Sequence, residues 1–472
     1  MAASSHESRA VSSSPAQRWK AFMEPKRQPH APRRALVACL AALLAAGPAA
    51  GEDLLQIYRE AQKYDPAIAA ARSQWEATQE RVPQARAGLL PLVSASGAAN
   101  ANTYDATVNS TPKISPSANY GQGNLTFSAS QPLYRPQNVV ALDQAKEQVV
   151  QSDFTLATAQ QDLIIRTTVA YFDVLLAEFN VELAGQQKIA VAEQLAQAKR
   201  NFEVGTATIT DTNEAQAKYD SIVATEIQAK NDLDRRRTAL RAIVGRFPAG
   251  LKRIGPGFDP PLPNPNAVDY WVDRALKENL SVRFSQANYD IATMEVERAR
   301  AGHLPTLDLV ASATAQASSG STANDFSSNS RSALFGVVLN VPIYQGGFVT
   351  SRVRETISLQ DKARADLESA RRAAITNAQD GFSGVNSAAA AIKAFEQAAA
   401  SAEVALQSNI LGQEVGIRTN LDVLLVQQNV FTARRDVANA YFQYLIAALR
   451  LKASVGALTE QDVEELNRRL RG

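Results

Sequence analysis

Leu125, Phe127 and Ala129 alternate with Asn124, Thr126, Ser128 and Ser130, a period of two that predicts a β-strand with one apolar and one small polar face. The period returns in Leu307, Leu309, Ala311 and Ala313 against Asp308, Ser312 and Thr314, with one lapse at Val310. It returns again in Phe335, Val337, Leu339 and Val341 against Gly336 and Asn340, with one lapse at Val338. These segments of about ten residues are separated by TYDATVNSTPKISPSANYG and QASSGSTANDFSSNSRS, stretches rich in Ser, Asn and Thr. They predict exposed loops, long for simple hairpins. After Pro132-Leu133-Tyr134 and Pro342-Ile343-Tyr344 the period becomes helical. From Asn138 to Phe202 there is no proline, and the composition is dominated by Ala, Gln, Leu, Val, Glu and Lys. At 1.5 Å per residue this run predicts a helix of roughly 100 Å. A second such run extends from Thr350 to Leu411, with Gly381 and Gly384 as expected local weak points. Helices this long need bundle or coiled-coil partners. Each ends in an E-V-G segment, from which a helix of about 35 residues returns. Shorter helical stretches, 52–88 and 267–302, precede the strands and stop at a Leu-Pro, because proline lacks the donor and disfavours helix in the residue before it.

The pattern is written twice. EVGTATITD (203–211) returns as EVGIRTNLD (414–422), ARAGLLPLVSAS (85–96) as ARAGHLPTLDLV (299–310), LTFSASQPLY (125–134) as FGVVLNVPIY (335–344), and LRAIVG (240–245) as LKASVG (451–456). Four landmarks in one order at nearly the same spacing, 210 to 214 residues, make the chain two copies of a single unit. The expected organisation is repeat 1 at 52–247, a Pro/Gly-rich linker at 248–266, repeat 2 at 267–456 and a C-terminal segment at 457–472.

Ahead of repeat 1, Arg33-Arg34, the apolar run ALVACLAALLAA and the small-residue stretch GPAAGED predict an export signal over 1–51, cleaved near Ala50 or Gly51. The run is too short for a stable membrane anchor, which needs roughly 20 apolar residues. The residues before it are many for such a signal, so Met23 is a candidate start. Cys39, the single cysteine, sits near the beginning of the apolar run rather than after it, which argues against a lipidation site. Beyond the leader no disulfide or thiol chemistry is expected. Charge points the same way. The chain has 49 basic and 47 acidic residues, and removing residues 1–51 leaves 42 basic against 45 acidic. That small negative balance gives no electrostatic case for nucleic acid.

The four strands have an apolar face to bury. If that face meets lipid the sheet must close, because an open edge in hydrocarbon leaves unpaired backbone donors at several kcal/mol each. Known barrels have eight or more strands, so several chains must share one. The compartment that fits is a Gram-negative outer membrane. The order of helix, Leu-Pro, strand pair, Pro-aromatic, very long helix, V-G turn and helix, all duplicated, resembles the TolC family of outer-membrane export ducts. So do ITDTNEAQAKYD (209–220), VGIRTNLDVL (415–424) and the ending ALTEQDVEELNRRL (457–470). The resemblance covers the mature chain and implies a mixed α and β fold, with four barrel strands and long periplasmic helices per chain. It also implies a homotrimer whose 12-stranded transmembrane β-barrel is continuous with a 12-helix tunnel. The implied partners are a periplasmic adaptor (membrane fusion) protein, an inner-membrane ABC or proton-driven transporter, and outer-membrane lipid. Four strands per chain agree with a trimer but do not exclude a dimer.

Thr208-x-x-Asp211 and Thr419-x-x-Asp422 both fit a capping box, and Gly205 and Gly416 fit left-handed helix ends, so two matched helix reversals explain the echo. The resemblance adds a gate at the tunnel tip. It implies that Thr210 and Asp211 of the first turn and Arg418 of the second link neighbouring chains, with Asp422 as a ring carboxylate. The planar fork of arginine can serve a carboxylate and a hydroxyl together. Two positions depart from the family: Gln413 stands where it has a tyrosine, and Leu425 where it has a second ring aspartate. Three rather than six carboxylates at the mouth imply a modest cation preference.

Enzymatic chemistry is not expected. His303 is the one histidine after the leader, and neither a zinc cluster nor a nucleophilic triad can be assembled around it. GPGFDP lacks the spacing of a phosphate loop. Arg235, Arg236 and Arg237 read as the solvated face of a returning helix. Tyr134 and Tyr344 suit a membrane interface or sheet-to-helix packing. No cofactor or metal is expected. The expected function is an exit duct for a protein toxin or other protein substrate in type I secretion. The alternatives are a multidrug efflux channel and, from another class, a structural or adhesive coiled-coil surface protein.

Overall fold

The computed structural model describes residues 51–472 apart from 108, 110, 112–116, 255–258, 323–325, 469 and 472. Apart from Gly51, the expected export signal, with Met23 and Cys39, lies outside the described residues. Residues 51–472 form one compact unit. The chain opens with α1 (Leu54–Tyr64), α2 (Pro66–Gln79) and α3 (Arg81–Ala87), followed by strands β1 (Leu92–Asp105) and β2 (Ser117–Tyr134). Then come α4 (Pro136–Glu203), 68 residues long, and its return α5 (Ile209–Val244). The second half repeats this with α6 (Val268–Glu278), α7 (Leu280–Arg300), β4 (Thr306–Ser318), β5 (Ser328–Asn340), α8 (Phe348–Glu414) and α9 (Asn420–Ser454). Between the halves β3 (Arg253–Ile254) pairs with β6 (Leu470–Arg471), which follows α10 (Glu460–Arg468). The linker is thus stitched to the C-terminal segment.

Several expectations are corrected. The stretch 52–88 is three helices, not one, because Asp65 turns extended and caps α2 through Ala67 and Ile68 N–H just ahead of Pro66. In the second half Asn279 makes the same break, capping Val282 N–H. α8 runs unbroken through Gly381 and Gly384. A Cβ on Gly381 would lie 3.3 Å from Leu451 Cδ1, so this glycine lets α8 and α9 approach closely. The strands, of 13 to 18 residues, exceed the ten expected. Arg236 and Arg237 are exposed, as expected of a solvated face, and in addition reach across to Asp173 (2.7 Å) and Glu178 (2.8 Å) on α4. Arg235 stays exposed beside Asp232.

The four long strands form one antiparallel sheet in the order β1, β2, β4, β5. Leu125 and Phe127 are exposed on one face, as are Phe335, Val337 and Leu339. Below the sheet, Arg135 clasps Asp308 in a two-pronged ion pair at 2.9 and 2.7 Å, tying the start of α4 to β4 of the other repeat. The main core lies where the shorter helices pack on the middle of the long ones. There Tyr171 and Phe172 of α4 are fully buried, and Phe172 stacks at 5.3 Å on Phe442 of α9. Tyr171 donates to the carbonyls of Glu52 and Lys252, and burial pushes its phenol pKa up. Arg246 ties α1 and the residues just before it to the end of α5 by binding both Glu52 and Glu60, which holds the Glu52 carboxyl below its usual range. Toward the far end, Lys188 and Lys230 bracket Glu226 and hold its carboxyl down at about 2, joining α4 to α5. A smaller apolar cluster of Val191, Leu195, Ala215, Ile222 and Leu424 continues toward the tip.

Candidate functional site

The far ends of the two long hairpins are built alike. After α4 the N–H of Thr206 bonds Asn201 O at 2.8 Å, and after α8 the N–H of Ile417 bonds Gly412 O at 2.9 Å. This closure needs a left-handed residue one position earlier, and Gly205 (φ 78°) and Gly416 (φ 80°) supply it. Each returning helix then starts on a capping box. Thr208 Oγ1 accepts from Asp211 N–H at 3.2 Å, while Asp211 Oδ2 accepts from the Thr208 N–H at 2.9 Å and hydroxyl at 2.8 Å. Thr419 and Asp422 make the same three bonds at the same distances. A cap of this kind contributes on the order of 1 kcal/mol. The Thr419 bonds, with the positive charge of Arg418 nearby, hold the Asp422 carboxyl below its usual range.

The remaining site residues are placed but not joined within a chain. Thr210 and Arg418 are exposed. The backbone N–H of Arg418 bonds Gly412 O at 3.1 Å, and among the described residues no hydrogen bond or ion pair joins its guanidinium to Thr210, Asp211 or any other group of its own chain. Gln413 donates to Asn420 Oδ1 at 3.4 Å, bridging the second turn. Leu425 is half exposed and lines a cleft of about 340 Å³ between α5 and α9 with Leu421, Leu424, Glu214 and Lys218.

Two features escape a reading of the sequence alone. Gly412 is buried, and a Cβ there would stand 2.7 Å from Arg418 Cγ, so the stem of Arg418 rests on this glycine. The corresponding residue of the first turn is Asn201. The signal was available, since the glycine and the arginine are both peculiar to the second copy. The tips are also apolar: Val204, Val415 and Ile417 are 73%, 65% and 78% exposed where turns ordinarily carry polar residues. Exposed apolar side chains at a turn are suited to a partner surface. His303 lies in a short 3₁₀ turn, and among the described residues no group of three or more His, Cys, Asp or Glu could hold a metal. No described helix is long and apolar enough to cross a membrane.

Comparison with known proteins gives a concordant picture. The family model described as "Outer membrane efflux protein" matches the chain twice, over residues 57–246 and 271–457. The "Outer membrane protein TolC" of Vibrio cholerae serotype O1 is 33% identical over 424 residues, covering 88% of this chain and 93% of the relative. The "Proteases secretion protein PrtF" of Dickeya chrysanthemi is 30% identical, covering 92% of this chain and 94% of its own. In structure, the Campylobacter jejuni CmeC outer membrane channel superposes with a TM-score of 0.72 at 16% identity, over 89% of this chain and 90% of that one.

Proposed function

The chain belongs to the outer membrane efflux protein family, and on that premise we propose that three copies form one 12-stranded barrel and a 12-helix periplasmic tunnel for protein cargo. It is an exit duct of the Gram-negative outer membrane. The observation that carries the shared-barrel reading, with which a trimer agrees, is the four-stranded sheet, apolar on one face, with edges β1 and β5 unpaired among the described residues, running into helices of 68 and 67 residues. Unpaired edges in hydrocarbon cost several kcal/mol per group, and four strands cannot close alone. The twofold family match supports repeats at 52–247 and 267–456 joined by 248–266, with 457–472 at the equator of the tunnel.

Likeness to a protease secretion protein over nearly the full length supports protein cargo. In this reading the cargo arrives from an inner-membrane ABC transporter through a periplasmic adaptor, and the exposed Val204, Val415 and Ile417 are suited to an adaptor's apolar surface. The second reading is drug efflux with a proton-driven transporter, favoured by the family's description. A deletion strain assayed for both secreted protein and drug sensitivity separates them: retained secretion with new drug sensitivity overturns the first.

At the tip, Arg418 of one chain binds Thr210 and Asp211 of the next and holds the closed mouth. What supports this is that the Arg418 guanidinium makes no hydrogen bond or ion pair among the described residues. In addition, Asp211 spends only Oδ2 on its cap and keeps Oδ1 for an outside donor. Asp422 contributes a ring of three carboxylates and Gln413 a bridging amide.

A further inference from the structure

Between the main core and the smaller cluster toward the tip, α4, α5 and α9 enclose a cavity of about 400 Å³. That size falls within the range of small-molecule sites, about 300–1,000 Å³. Part of its lining is apolar: Leu183 and Ile222, both buried, with Phe431. The rest is polar, and two of the buried groups in it are unmet. Gln187 of α4 is only 8% exposed, yet its amide makes no hydrogen bond among the described residues. Asn180, two turns earlier on the same helix face, buries its Oδ1 without a donor. Burying an amide without a partner is costly. The other buried glutamine among the described residues, Gln144, is satisfied by Glu295 at 3.0 Å.

The rim is cationic. Arg235 of α5 and Arg435 of α9, with side chains 73% and 53% exposed, both line the cavity. Arg235 gives only Nη2 to Asp232, and Arg435 gives Nε and Nη2 to Asp436, so each keeps N–H groups for a further acceptor. Asp232 is the one carboxylate in the lining, and Arg236 also approaches it at 3.7 Å. This polar set is not owed to the duplication. The offset that carries 203 to 414 and 240 to 451, 211 residues, puts Ile446 where the first copy has Arg235 and Gln443 where it has Asp232.

We infer that the cavity binds a small organic anion. Its acidic group sits between Arg235 and Arg435, whose planar forks suit an oxyanion. A hydrogen-bond donor on it meets Asn180 Oδ1, the Gln187 amide takes a second polar contact, and an apolar body packs on Leu183, Ile222 and Phe431. All three walls belong to one chain, so the site is complete without a neighbour and does not depend on the trimer or the cargo. Because α4 and α5 come from repeat 1 and α9 from repeat 2, the bound anion ties the two hairpins together and stabilises the folded chain.

Two probes that differ by one acidic group test this. Anilinonaphthalene sulfonate carries the acid, an N–H and an apolar body, and phenylnaphthylamine is the same body and N–H without the acid. The reporter is the full chain with Cys39→Ser and Thr432→Cys, since Thr432 is exposed and lines the cavity. At ten times its dissociation constant the sulfonate slows maleimide alkylation of the introduced thiol about elevenfold, and the slowing saturates. The neutral probe leaves the rate unchanged. Arg435→Gln weakens the sulfonate's protection by about tenfold to a hundredfold, and Gln187→Leu weakens it as well. A thiol placed by Ser401→Cys, exposed on α8 away from the cavity, is alkylated at one rate throughout. Equal protection by the neutral probe, protection that survives Arg435→Gln, or equal slowing at Ser401→Cys overturns the anion site. Should the reporter variant fail to fold, thermal melts of the native protein decide. The sulfonate raises the melting temperature and the neutral probe does not, and an unmoved melt overturns the proposal.

Discussion

Replacing Arg418 by alanine is the sharpest test of the tip. Arg418 is exposed, lies in a turn and makes no ion pair in its own chain among the described residues, so truncation changes folding stability by about 0.5 kcal/mol or less. Between chains the same residue would supply a charge-assisted bond to Asp211, typically about 1.5–3 kcal/mol. At roughly 1.4 kcal/mol per factor of ten, loss of one such bond shifts the ratio of open to closed tips by about tenfold to a hundredfold, and the trimer loses three. The assay is single-channel recording in planar bilayers, paired with a thermal melt of the helices. The expected outcome is a higher conductance and longer open dwell times with an unchanged melt. Arg418→Lys should fall between, because an ammonium keeps the charge and loses the fork. A closed state indistinguishable from native in Arg418→Ala would refute the bond across the chain boundary.

Other substitutions separate structure from gating. Asp422→Ala should reduce cation selectivity in bilayer recordings, and unchanged selectivity would remove the carboxylate ring from the mouth. Gly412→Ala places a methyl group 2.7 Å from Arg418 Cγ and should displace the arginine, raising conductance as Arg418→Ala does. An unaltered recording would show that the stem has room to move. Asp65→Ala should destabilise the periplasmic region by roughly 1–3 kcal/mol, since it removes the α2 cap and one of the two carboxylates on the partly buried Arg166, which keeps Asp162. Thermal melts of the detergent-solubilised protein read that loss. The Arg166 bonds depress the Asp65 pKa, so its contribution is complete above the unfolded value near 4 and is lost as pH falls through the lower folded value. A wild-type acid limb in the Asp65→Ala melts would contradict this.

The long helices were legible because composition alone forbids anything else. Asn138 to Phe202 became Pro136–Glu203, and Thr350 to Leu411 became Phe348–Glu414. Both capping boxes were legible because the partners lie three residues apart. What escaped has partners far along the chain or no partner in it. Arg236 and Arg237 look solvated until α4, some 60 residues earlier, brings Asp173 and Glu178 beneath them. Strand lengths were underestimated because LVSASGAANANTYD is mostly small residues whose alternation carries little contrast, and hydrogen bonding to β2 extends the strand instead. The break at Asp65 hid inside a helical composition, visible only as an Asp-Pro step.

Duplication also explains where function is concentrated. Two copies of one unit give the same turn, cap and hairpin register twice, so matched positions report the shared scaffold. The mismatches report what the scaffold is used for. At the tip the second copy has Gly412 and Arg418 where the first has Asn201 and Ala207, giving one cation per chain to reach a neighbour. Below the sheet Arg135 binds Asp308, while the repeat equivalents Gln345 and Ser94 are neutral. Charge therefore bonds the repeats together at one end and, by the proposed gate, the chains together at the other. A duct built this way can loosen its periplasmic mouth by breaking three charged contacts between chains while each chain's own hairpins stay clasped by pairs such as Lys188 to Glu226 and Arg434 to Glu403.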